Sequence, residues 1–88
     1  MKVLHLPLKA KWYEMIESGV KKEEYREVKP YWLKRLAEGQ IYTHVKFSYG
    51  YTKRVMTFEI ESITMGTGKI EWGAPTEDVF VIRLGKRV

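Results

Sequence analysis

A lysine, a glutamate and an arginine spaced as Lys21-x-x-Glu24-x-Arg26 can form one recognition group if they face a common hollow. Two cations hold an anion, while the carboxylate between them accepts from an amine or orients the guanidinium. A nucleobase carrying its phosphate fits that description. The same trio could formally serve hydrolysis, because a carboxylate can activate water and a lysine among cations can have a lowered pKa. The competing reading is a solvated edge strand. Residues 21–27 hold three positive and three negative charges, and charges on a strand edge prevent strand-to-strand aggregation.

Whether the three groups meet depends on the elements that carry them. If residues 22–27 are extended, Glu24 and Arg26 share one face and Glu23, Tyr25 and Glu27 the other. Lys21 joins the Glu24 face only if the chain bends after Gly19. The preceding segment supplies such a bend. Leu8, Trp12, Met15, Ile16 and Val20 fall on one helical face, with Lys9, Lys11, Glu14 and Glu17 outside, so the spacing predicts a helix over 9–18. Gly19 sits where a helix ends in a left-handed residue.

The other elements follow from periodicity. Residues 2–8 alternate Leu4, Leu6 and Leu8 against Val3, His5 and Pro7, a half-buried strand ending near Pro7. Pro30 opens a short second helix over about 30–38, with Gly39 beyond it. Val45, Phe47 and Tyr49 alternate in a third strand up to Gly50, and Gly50-Tyr51-Thr52-Lys53 is a hairpin turn. A further strand covers 54–64, then Gly66, Gly68, Gly73 and Pro75 make 65–78 an irregular connection. The last strand is 79–84, with Phe80, Ile82 and Leu84 inward. The expected fold is a single α+β domain spanning 1–88: a small, partly open β-barrel of about five strands with two short helices.

Eighty-eight residues leave room for one core. Without cysteine, that core rests heavily on three Trp, six Tyr and three Phe. The net charge of +5 favours polyanionic partners, although solubility alone also accounts for it. The N-terminus lacks the pattern of a signal peptide and no apolar run approaches spanning length, so a cytoplasmic location without membrane contact is expected. His5 and His44 lack metal-ligand spacing, so neither a metal nor another cofactor is expected. Aromatics interleave with cations at Tyr31/Trp32/Lys34/Arg35 and again from Lys46 to Arg54, a pattern suited to stacking single-stranded bases beside a basic groove. Trp12, Trp32, Phe47 and Phe58 fall at core spacing. Tyr49 and Tyr51 are the better stacking candidates, and Trp72 is either a lid over a cleft or a plug at a barrel end.

Gly19-x-Lys21-x-x-Glu24-x-Arg26 resembles the G-x-K-x-x-E-x-R signature of the ASCH domain, a small β-barrel family related to PUA domains. The likeness extends to the Leu-x-Leu strand leading into a helix, to Phe47-Ser48-Tyr49-Gly50 and to Val81-Ile82-Arg83-Leu84-Gly85, and so covers nearly the whole chain. It implies binding of RNA, a nucleotide or a nucleoside in a cleft beside the barrel. Lys21 would contact phosphate or a base carbonyl, Glu24 would accept from a base amine, and Arg26 would pair with phosphate or Glu24. Tyr49, Tyr51 and Arg83 join these three as candidate ligand-binding residues. Some similar single-domain proteins are amidohydrolases acting on modified cytidine, with a threonine nucleophile three residues after the motif lysine; this chain has Glu24 there, which removes that hydroxyl. If the protein is an enzyme on a modified nucleoside or RNA, Lys21 and Glu24 are its catalytic candidates. A protein-docking module is the remaining alternative.

Overall fold

In the computed structural model of the protein, which describes residues 2–39 and 41–88, five strands form one mixed sheet curled into a half-barrel. In chain order the elements are β1 (Val3–Leu8), α1 (Ala10–Glu17), β2 (Glu23–Glu27), α2 (Pro30–Trp32), β3 (His44–Tyr49), β4 (Val55–Gly66) and β5 (Val79–Arg87). Two short turns complete the set: a π-type turn continues α2 over Leu33–Ala37, and a 3₁₀ turn spans Ile70–Trp72. The spatial order is β1-β3-β4-β5-β2. β1 runs parallel to β3, and the other neighbours pair antiparallel.

The strand alternation works as read. Leu4, Leu6 and Leu8 turn inward on β1 and meet Val45, Phe47, Met56, Phe58 and Ile82. β1 continues through Pro7 to Leu8 and pairs only with β3, so the missing proline N–H falls on a strand with a free edge. The β4–β5 register shifts around Ile60; such irregularities bend a strand and increase its twist, curling the sheet. β4 and β5 both outrun the expected strands, to Gly66 and Arg87. β5 is buried on both sides at Val79–Ile82, because Tyr25, Ala74 and Trp72 cover Val79 and Val81 from outside.

α1 packs differently from the expected stripe. It buries Tyr13 and Ile16, leaves Trp12 and Met15 half-buried and leaves Val20 exposed. Tyr13 supplies the large ring against β3, meeting Tyr49 edge-on at 5.2 Å. One residue around a helix is about 100°, so seating Tyr13 turns Trp12 away from the core.

The two strands with only one neighbour, β1 and β2, bound the open seam of the half-barrel. No helix among the described residues is long and apolar enough to cross a membrane.

Candidate functional site

The seam holds a cleft of about 730 Å³, walled on one side by Pro7 and Leu8 at the end of β1 and on the other by Glu24–Glu27 of β2. Gly19 supplies the bend that brings Lys21 into it. Its φ is +88°, and the Gly19 and Lys21 amides donate back to the carbonyls of Ile16 (3.1 Å) and Met15 (3.0 Å). This reversal at the helix end turns Lys21 toward the Glu24 side chain. A Cβ at Gly19 would meet nothing within 4 Å, so Gly19→Ala should cost only the left-handed backbone term, about 1–2 kcal/mol, read as a lowered urea midpoint.

Lys21, Glu24 and Arg26 converge as one ionic group. Lys21 Nζ lies 2.8 Å from Glu24 Oε1, and Arg26 Nη1 pairs with Glu24 Oε2. The Lys21 and Glu24 side chains are 1% and 7% exposed, and Arg26 is 18% exposed. β2 is an edge strand, but these charges are not solvated by it, so the reading of a self-compensating surface edge fails for this trio. Lys21 also donates to the Trp72 carbonyl, and its ammonium lies 4.7 Å from the Trp12 ring centre and 5.2 Å from that of Tyr25. Arg26 Nη1 donates to the Tyr25 carbonyl at 2.7 Å, and its guanidinium stands 5.5 Å from the Trp32 ring. Burial pushes the Lys21 ammonium below the usual lysine range, and attraction to Glu24 offsets only part of that.

Tyr25 takes the opposite face of β2, as its phase requires, and anchors the segment that carries Trp72. Its hydroxyl donates to Glu23 Oε1 (2.8 Å) and accepts from the Lys69 amide (3.0 Å). Burial, with the hydrogen bond to Glu23 adding to it, pushes the Tyr25 hydroxyl up to about 12. A folded value above the ordinary 10 means that this contribution is complete below pH 10 and is lost as pH rises through about 12. Two units correspond to at most roughly 2–3 kcal/mol, less where solvent screens the hydroxyl. Between pH 9 and 11.5 the native protein should therefore lose more stability than Tyr25→Phe. Taking that difference also removes the contribution of Lys21, which runs the other way below its ordinary value. Equal declines in denaturant titrations would rule this out.

The remaining candidates lie elsewhere. Tyr49 lines the α1–β3 contact, with its hydroxyl donating to Glu14 at 3.2 Å and the Arg54 guanidinium 4.9 Å from its ring. Tyr51 is 97% exposed at the tip of the β3–β4 turn. Arg83 pairs with Glu23 across the β5–β2 ladder at 3.2 Å, on the outer face. None of the three lines the cleft. His5 is exposed, and His44 Nδ1 lies 2.7 Å from the Thr43 hydroxyl.

In their place the cleft is lined by Trp12, Trp32 and Trp72, with Lys9 and Lys29 at its mouth. Core spacing places Trp12 and Trp32 in the interior alongside Phe47 and Phe58. The two phenylalanines are buried there, Trp32 is half-buried and packs against that core while also lining the cleft, and Trp12 is outside it. Trp72 is a wall of the cleft, fixed through its own carbonyl. A signal for this set does exist in the chain. Each tryptophan follows a lysine by three residues, as Lys9-Ala-Lys-Trp12, Lys29-Pro-Tyr-Trp32 and Lys69-Ile-Glu-Trp72. Each of those lysines is the extended residue that opens a helical turn. Three separate turns thus present an indole at their third position toward one hollow.

No family model matches the chain, and no curated protein matches its sequence.

Proposed function

We propose that this chain is an ASCH-type, PUA-like domain of the cytoplasm whose seam cleft binds a nucleobase with its phosphate, as a nucleotide or within RNA. The observation that carries this reading is the buried Lys21–Glu24–Arg26 group at the base of a cleft walled by three tryptophans. A planar ring can lie against an indole face that these cations leave uncovered, a contact worth about 1–3 kcal/mol per base. Glu24 spends one lone pair of each oxygen on a cation and keeps the others for a base amine. Arg26 and Lys9 are placed to meet phosphate, with Lys29 beside them in an exposed pair with Glu27.

The occupied indole faces bear on the class of ligand. Trp12 already faces Lys21 and Trp32 already faces Arg26, so a cationic guest would meet two fixed like charges. An anionic, planar guest meets those two as counter-charges, and meets Glu24, Glu27 and Glu77 on the same lining. Glu24 holds a cation at each oxygen, an arrangement suited to recognition more than to a free base, which favours binding over hydrolysis.

The test is titration of AMP, CMP, GMP and UMP against intrinsic tryptophan fluorescence. At least one should change the emission saturably. Arg26→Ala should weaken it about 10- to 150-fold, the range of one charge-assisted hydrogen bond, with the thermal transition retained. No response to any nucleotide, or a response indifferent to both Arg26→Ala and Trp32→Ala, would sink the reading. Lys21 and Glu24 are poor probes of binding alone, since both also hold the fold.

A further inference from the structure

Beyond the cleft, α2 and the turn after it carry an aromatic and basic face that the cleft itself does not use. Lys29 and Trp32 line the cleft. Tyr31 stands next to Trp32, edge-on at 4.7 Å between ring centres, and is 55% exposed. The Arg35 guanidinium lies 3.8 Å from the Tyr31 ring centre. Trp32, Tyr31 and Arg35 therefore form an unbroken series from the cleft wall outward. Lys34 and Arg35 are both exposed. No Asp or Glu occurs between Glu27 and Glu38, in a chain that has eleven acidic residues, so Lys34 and Arg35 stand in a run without acidic neighbours, while Lys29 at its start pairs with Glu27 at 3.4 Å.

We infer that this face is the continuation of the binding site and that the partner is single-stranded nucleic acid, one base in the cleft and its neighbour stacked against Tyr31 and Arg35. This rests on the nucleobase reading of the cleft and extends it from a lone nucleotide to a strand. A free nucleotide would leave Tyr31 and Arg35 without a role. A strand needs what they offer: an aromatic face held in place by its contacts with Trp32 and Arg35, and phosphate-pairing cations at Lys34 and Arg35. A duplex keeps its bases stacked and offers none to the cleft.

The experiment uses fluorescein-labelled single-stranded RNA hexamers of mixed sequence, the same sequence as DNA, a blunt duplex of it, and the four mononucleotides. The single strands should bind at least about tenfold more tightly than the best mononucleotide, and the duplex no better than the mononucleotide. Tyr31→Ala and Arg35→Ala should each weaken hexamer binding about 5- to 150-fold while leaving mononucleotide affinity within about twofold. Lys34→Ala should reduce the slope of log affinity against log salt by about 0.7. All three residues are exposed, so folding should persist, and circular dichroism checks this. Equal affinity for hexamer and mononucleotide, hexamer binding unchanged in these variants, or preference for the duplex would overturn the strand inference and leave the cleft reading standing. If neither hexamer nor mononucleotide binds, both fall.

Discussion

Replacing Glu24 with leucine should destabilise the protein by about 3–5 kcal/mol, because it leaves the Lys21 ammonium buried without its counter-charge. A domain of this length is stable by only about 4–13 kcal/mol in total, so the transition should fall by roughly 12–40 °C. Lys21→Met should cost less, since Glu24 keeps Arg26 as a partner. The informative variant is the double one. With both charges replaced by apolar groups of similar volume, most of the desolvation penalty disappears, so Lys21→Met/Glu24→Leu should recover at least about 1–2 kcal/mol relative to Glu24→Leu. Urea denaturation of the four proteins measures the coupling directly. If the two single effects simply add, the two side chains do not form the dry pair described above.

Gly73→Ala should destabilise the protein by about 2–5 kcal/mol, from two independent causes. Its φ is +96°, and an added Cβ would lie 2.9 Å from Cζ2 of Trp12. Gly19→Ala, at nearly the same φ but with open space around it, reports the backbone cost alone. The excess of Gly73→Ala over Gly19→Ala therefore measures how tightly the 69–74 segment presses on the cleft wall. The same change should shift the tryptophan emission and weaken nucleotide binding, since Gly73 follows the residue whose carbonyl holds Lys21. Equal destabilisation of the two variants would mean that Trp12 yields freely and that the wall is soft.

The local patterns of this chain were sufficient for its elements and for the centre of its site. A period of two in Leu4/Leu6/Leu8 and in Val45/Phe47 specifies strands with one apolar face. The helix stop at Gly19 and the extended phase of 22–27 specify that Lys21, Glu24 and Arg26 can share a side. Those properties depend on neighbours within a few residues, which a sequence displays directly. Curling into a half-barrel was legible only as a class, from strand count and length.

Packing decided the rest. Trp12 and Tyr13 are adjacent on α1, and either could have filled the core; the space against β3 took Tyr13 and turned Trp12 to the seam. Trp32 satisfies helical spacing and does pack against the core with one side, yet it also meets Arg26, a residue of β2. Tyr49, Tyr51 and Arg83 look like a ligand surface in the linear order, but strand pairing puts them away from the seam, because Arg83 sits opposite Glu23 and the β3–β4 turn projects into solvent. The burial of Lys21 and Glu24 is likewise a tertiary fact: it requires the 69–74 segment, some fifty residues away, to close over them. Side-chain phase along one element is set by local geometry, whereas which faces are dry is set by what other elements leave uncovered, and that is known only once the chain has folded.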